Sequence, residues 1–217
     1  MLITSSLWAQ MHEVGFFVGG SNYIGDVGNE TFFKPNHLGG GIMYKRNLNS
    51  RISLRAAYSR MAIASDDADA TNIVRKNRGY SFTNTINELS AGIEFNFFNY
   101  DLSTYTDTHT PYLLFELVAF NYSVAEREIA PNNYELGTKT SYAIPFGIGY
   151  KTKVFDHFAV AAEIKARYTF VDDLDYNNPQ IPRLTFGNPD SNDWYVFTAV
   201  SIVYSFGRPP CFVAPKY

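Results

Sequence analysis

One stretch, FAVAAEIKARYTF at 158–170, constrains the fold more than any other. Phe158, Val160, Ala162, Ile164, Ala166, Tyr168 and Phe170 are apolar, while Glu163, Lys165 and Arg167 stand between them. A two-residue period is the signature of a β-strand, with successive side chains on opposite faces. One face of this strand is therefore continuously apolar and the other carries three charges. In a water-soluble sandwich the apolar face fills the core and the charges meet water. In a small membrane barrel the assignment inverts, with lipid covering the apolar face and the polar face turned into the lumen.

The same period recurs. In NELSAGIEFNF, Leu89, Ala91, Ile93, Phe95 and Phe97 alternate with Glu88, Ser90, Gly92, Glu94 and Asn96. After Arg51, residues Ile52, Leu54, Ala56 and Tyr58 alternate with Ser53, Arg55, Ala57 and Ser59. The pattern predicts eight strands at 11–24, 38–47, 51–62, 86–98, 111–122, 140–151, 158–170 and 194–206. Most exceed the five or six residues usual in globular sheets and match the roughly 9 to 11 of a tilted transmembrane strand. No stretch approaches the roughly 18 apolar residues of a membrane helix.

Short connections fall near Asn47–Ser50 and Lys153–His157, a longer one spans Asn99–Thr110, and polar segments of a dozen to twenty residues lie between. That asymmetry predicts an eight-stranded antiparallel up-and-down transmembrane β-barrel of the OmpA/OmpX kind, with short periplasmic turns and long external loops. It implies an outer-membrane location, contact with outer-membrane lipid, and both termini in the periplasm. The last strand ends on outward Tyr204 and Phe206.

Counted from the short turns, Arg55, Glu94, Glu116 and Glu163 lie at one depth. Lys45 is near that level, Lys165 and Arg167 stand above it, and Glu88 completes the inward set. An eight-stranded barrel has room only for side chains, so these residues predict a self-satisfied charged plug, with no catalytic or conducting lumen.

The rest narrows the function classes. The 217 residues are 17% aromatic and 18% charged with a net charge of -3, which supplies no basic field for nucleic acid. The single Cys211 excludes a disulfide framework and a thiolate zinc site. His12, His37, His109 and His157 show no ligand spacing, and no cofactor is expected. Asp172, Asp173 and Asp175 in DDLDYNN offer oxygen ligands but lack the glycine and terminal glutamate of an EF-hand. Gly39–Gly41 lacks a phosphate-loop context and suits close strand packing at a barrel corner. Pro145, without a ladder donor, predicts a bulge.

Three parts follow. Residues 1–10, MLITSSLWAQ, read as a signal-peptide remnant or as a disordered start; 11–207 form the barrel; 208–217, GRPPCFVAPKY from Gly207 onward, form a C-terminal tail. Arg208, Pro209, Pro210, Cys211, Phe212 and Tyr217 are the candidate partner-docking residues of the tail, which is read alternatively as a disordered end.

HEVGFFVGGSNYIGDVG (12–28), IPFGIGYK (144–151), RYTFVDDLDY (167–176) and DWYVFTAVSIVYSFGRPPC (193–211) together resemble the PorG-type, DUF6089-like family of Bacteroidota, small outer-membrane barrels of the type IX secretion machinery. The resemblance implies a non-enzymatic subunit that associates with the periplasmic ring of lipoprotein and partner protein, with no small-molecule substrate. Two alternatives stand beside it: a free-standing barrel acting in adhesion through its external loops, and a lipid-modifying barrel enzyme, for which no rim constellation of His, Ser and Asp is present.

Overall fold

The computed structural model describes residues 12–29, 31–100, 108–131, 133–186 and 191–207. Eight antiparallel strands close a barrel in chain order: β1 (His12–Ile24), β2 (His37–Asn47), β3 (Ile52–Asp66), β4 (Ser81–Asn96), β5 (His109–Ala130), β6 (Asn133–Phe155), β7 (Phe158–Thr169) and β8 (Trp194–Phe206). Closure runs from His12 opposite Phe206 to Ile24 opposite Trp194, so no edge is left within this girth. A six-residue helix, α1 (Ile73–Arg78), stands in the β3–β4 connection. Its Asn72 side chain caps Val74 N–H, and Gly79 closes it in the left-handed conformation, φ 64°.

Alternation decides which way each side chain faces. Phe16, Val18, Ile42, Leu54, Leu89, Ile93, Phe115, Leu117, Ile148, Ile164, Val200 and Ile202 all point outward and are exposed. A continuous apolar belt of this extent is untenable in water and is the surface a bilayer covers. Aromatic rings border it at both levels. At the short-turn end His12 stacks on Tyr44 and Phe206, and Phe158 meets Tyr204. Toward the other end Trp194 packs on Tyr168 and Phe146. Above the belt the outward ladder positions turn polar in one row, Arg60 opposite Asn87, Asn87 opposite Asn121 and Asn121 opposite Thr140.

β3 to β6 run further than the alternation predicts. β5 and β6 continue past that row as a two-stranded hairpin to Ala130 and Asn133, where loop was expected. Outside the membrane neither hairpin face is apolar, so the period-two contrast fades although the strands persist. The bulge expected at Pro145 is also absent. Phe115 opposite Phe146 and Val118 opposite Ala143 keep one register, and the ladder omits the pairs around the proline without inserting a residue. The shifts occur instead between Ala125 and Arg127 and between Glu128 and Ala130 in the hairpin, and between Lys153 and Phe155 at the short turn to β7. Gly39–Gly41 serve close approach: a Cβ at Gly41 would lie 2.1 Å from the Tyr58 carbonyl oxygen, and one at Gly39 2.4 Å from Met61 Cβ.

Both described ends, His12 and Gly207, lie at the short-turn end of the barrel. At the opposite end, α1 and residues 170–186 fold over the mouth. Leu174, fully buried, enters the apolar cluster of Tyr23, Ile63, Phe82, Phe120, Tyr195 and Phe197.

Candidate functional site

The lumen is filled in two storeys. From the short turns up to the level of Glu88 and Arg167, Glu13, Glu88, Glu94, Glu116 and Glu163 face Lys45, Arg55, Lys151, Lys165 and Arg167, all of them at most 2% exposed. These five acids and five bases balance. Charges removed from water persist only when paired and hydrogen-bonded; nine of the ten stand in ion pairs, and Glu13 accepts from the Asn47 amide at 2.6 Å. Arg55 reaches across the lumen and grips Glu163 with two nitrogens at 2.7 and 2.9 Å. The same guanidinium lies 3.5 Å from Glu116 and 3.7 Å from Glu94. Glu94 in turn meets Lys45 at 2.7 Å and is hydrogen-bonded by Lys151. Lys165 bridges Glu116 at 3.3 Å and Glu163 at 3.4 Å. Higher up, Arg167 holds Glu88 at 2.8 Å, with Ser59 and Tyr195 hydroxyls on the same carboxylate.

Glycine makes the space for this crossing. Arg55, Gly92 and Glu116 lie opposite one another on β3, β4 and β5. A Cβ at Gly92 would stand 2.1 Å from the Phe115 carbonyl oxygen and 2.8 Å from Glu116 Cγ. A Cβ at Gly149 would meet the Tyr112 ring at 2.3 Å, and Tyr112 donates its hydroxyl to Glu163 at 2.9 Å.

All eight sequence-predicted lumen residues therefore face inward and join one network. Sequence reasoning missed Glu13, Lys151, Tyr112 and Tyr195. Parity carried the signal for Lys151, which is in phase with inward Gly147 and Gly149 and out of phase with Phe146, Ile148 and Tyr150. The inward charges concentrate in this lower storey, where small and apolar residues such as Met43, Ala57, Leu114 and Val203 fill the space between them. The upper lumen is aromatic, because there the covering loop, rather than water, meets the inward side chains. Arg208, Pro209, Pro210, Cys211, Phe212 and Tyr217, and the turn at Asp101, lie outside the described residues.

The three aspartates of DDLDYNN diverge. Asp173 pairs with Lys139 at 2.6 Å and is hydrogen-bonded by Tyr122; Asp172 accepts from Asn177 Nδ2 at 3.1 Å; Asp175 accepts from Tyr23 Oη at 3.1 Å. Tyr23 also contacts Asp193. One hydroxyl proton cannot serve two carboxylates, so Asp193 keeps its own. Burial, then the charge of Asp175, pushes Asp193 up to about 9; burial pushes Asp175 to about 6, and burial with the Asp26 and Asp175 charges pushes Asp172 to about 7. Asp175 and Asp193 thereby fasten the chain on either side of β8's approach to the end of β1. Asp67 fastens the β3–β4 connection in the same region, gripped by Arg78 at 2.6 and 2.7 Å and by the N–H groups of Gly28 and Tyr80.

An eight-stranded barrel with an apolar belt, two aromatic girdles and a lumen closed by its own charges defines the class of small outer-membrane-type barrels. Within that class, the chain belongs to the family described as Domain of unknown function (DUF6089), whose model matches residues 1–215. Solved structures repeat the fold at low identity. Neisserial surface protein A aligns with 90% of this chain and 97% of its own at 12% identity, TM-score 0.55. A major outer membrane protein from Thermus thermophilus aligns with 91% and 100% at 13% identity, TM-score 0.50. The N-terminal β-barrel domain of Pseudomonas aeruginosa OprF covers 89% and 97% at 12% identity, TM-score 0.47. No curated protein matches the chain.

Proposed function

We propose that this protein is a non-enzymatic outer-membrane component of the type IX secretion machinery, which holds the periplasmic ring of lipoprotein and partner protein at the membrane. The observation that carries a structural role is the plug: the charged side chains of the lower lumen are matched to one another and buried, which leaves them no acid, base or nucleophile to offer a substrate. The resemblance of GGSNYIGD and FGRPPC to PorG-type barrels supplies the particular machinery, and family membership over 1–215 is consistent with it. On this reading the short-turn end faces the periplasm, both termini emerge there, and the docking face is built from the turns near Asn49, Asp101 and Asp156 together with the tail.

The test is affinity purification of the full chain from native membranes in mild detergent, followed by mass spectrometry. Recovery of a periplasmic lipoprotein ring in stoichiometric amount is the expected result. A barrel recovered alone, or with cell-surface partners only, refutes the assignment in favour of a free-standing surface barrel.

A further inference from the structure

Beyond the role just proposed, and independently of it, the long-loop end carries a cleft of about 760 Å³ between the start of β4 and the rising hairpin, lined by Arg78, Tyr80, Ser81, Thr83, Tyr134, Tyr176 and Arg183 among others. From this arrangement we infer a binding site for an acidic saccharide. The size is that of a ligand site, and three features set the chemistry.

First, the aromatic rings are fixed before any ligand arrives. Tyr176 donates its hydroxyl to the Thr83 carbonyl at 2.9 Å, and Tyr80 donates to the Asp175 carbonyl at 3.0 Å. With the phenol oxygens engaged by backbone, the rings serve as platforms, and flat apolar faces are what the C–H faces of a sugar ring pack on. Tyr176 has φ 68°, the only positive value among the described non-glycine residues. A β-carbon there is strained, and such strain persists where the surroundings fix a side chain in one place.

Second, the lining contains two guanidinium groups and no carboxylate. Arg78 is locked to Asp67 and lies 4.5 Å from the Phe186 ring, so it is held rather than swinging; Arg183 lies 3.6 Å from Glu128. Planar guanidinium is suited to carboxylate, sulfate and phosphate substituents. The neighbouring cleft beneath the other side of the hairpin is different: Glu126, Asp172 and Asp173 line it with a single Lys139. The guanidinium charges of the first cleft are matched by Asp67 and Glu128, whereas the second carries excess carboxylate, so an anionic chain meets less repulsion in the first.

Third, one edge of the floor lacks a ladder partner on its β5 side. Ser81–Ile86 pair only with β3, because β4–β5 pairing begins at Asn87 opposite Asn121. The Thr83 carbonyl on this edge is taken by Tyr176, and the exposed Ser81 and Thr83 hydroxyls are placed to meet sugar hydroxyls.

Acidic sugar could be presented by a free polysaccharide or by the phosphorylated core of lipopolysaccharide, and the experiment separates the two. Full-length protein in phospholipid nanodiscs is titrated by calorimetry with hexagalacturonate and with maltohexaose, and its affinity for lipopolysaccharide micelles is measured in parallel. Tyr134→Ala/Arg183→Gln removes one lining aromatic and one lining cation outside the barrel wall, with heat-modifiable migration confirming that the barrel is intact; Lys139→Ala perturbs the other cleft. Expected is binding of hexagalacturonate, of lipopolysaccharide or of both, weakened at least roughly tenfold by the double variant, as for loss of an aromatic and arginine hot spot, and unchanged by Lys139→Ala. Hexagalacturonate alone assigns a free polymer, and lipopolysaccharide alone assigns the lipid-borne source. Failure of both acidic probes, equal affinity for maltohexaose, full binding by the double variant, or loss with Lys139→Ala overturns the inference.

Discussion

Arg55→Ala is the perturbation on which the plug depends most. The Arg55 side chain is wholly buried and contacts Glu163, Glu116 and Glu94. Its removal strips Glu163 of a two-nitrogen grip, leaving Lys165 at 3.4 Å and the Tyr112 hydroxyl at 2.9 Å. Glu116 keeps Lys165, and Glu94 keeps Lys45 and Lys151. The network then holds one uncompensated negative charge in a lumen without bulk water, together with the void of a guanidinium. Breaking a buried pair in this way costs about 3 to 5 kcal/mol. At a urea slope of roughly 2 kcal/mol per molar, the unfolding midpoint falls by about 1.5 to 2.5 M. The assay is equilibrium unfolding in lipid vesicles, followed by tryptophan fluorescence and by heat-modifiable migration. Lys34→Ala, which breaks an exposed pair with Asp69 at 2.6 Å, is the comparison and changes stability by no more than about 1 kcal/mol. Arg55→Ala/Glu163→Gln restores charge balance and recovers part of the loss, which a cycle of the two substitutions measures. Should Arg55→Ala unfold no more easily than Lys34→Ala, the inward network does not hold the barrel together and the reasoning fails.

Other outcomes follow from the same geometry. Ile93→Arg, on the outward face, destabilises by about 2 to 4 kcal/mol near mid-bilayer, read by the same unfolding curves. Gly92→Val places carbon 2.1 Å from the Phe115 carbonyl oxygen and prevents assembly of a heat-modifiable barrel. Asp193 holds a proton in the fold up to about pH 9 that an unfolded carboxyl releases near 4, so its contribution is complete below about pH 4 and declines as pH rises to 9. Hydrogen exchange of segment 171–186 accordingly speeds up beyond the intrinsic pH effect across that window, and Asp193→Asn flattens the excess. Truncation after Gly207 leaves a folded barrel that no longer co-purifies with the periplasmic ring; full recovery of the partner places the docking face elsewhere.

Strand identity and facing were legible because the membrane imposes a two-sided contrast, and each of the eight predicted segments overlaps a strand. The contrast ends where the membrane ends. NYSVAERE in β5 and NYELGTKT in β6 are polar on both faces, and nothing in their pattern separates a hairpin from a loop. In the lumen, charges in the middle of apolar runs announced themselves, while Glu13 at the start of β1 and Lys151 toward the end of β6 carried only the weaker signal of parity. Tyr112 and Tyr195 read as ordinary aromatics, since a phenol's inward hydrogen bond depends on which carboxylate the opposite wall supplies. Pro145 was misjudged for a related reason: a missing donor can be absorbed by skipping ladder pairs without changing register. The fastening of Asp175 and Asp193 through Tyr23 joins residues 152 and 170 positions apart, a closeness that only barrel closure produces.

The apolar face of the barrel meets lipid and its charged face meets itself. Single spin labels in a Cys211→Ser background, with the protein in bilayers, test it through collisions with oxygen and with a water-soluble nickel chelate. Labels at Leu89, Ile93, Leu117 and Ile202 are predicted to collide freely with oxygen and hardly at all with nickel, while labels at Ala57 and Ser90 are shielded from both. Nickel access at the first set, or oxygen access equal at both sets, contradicts the account.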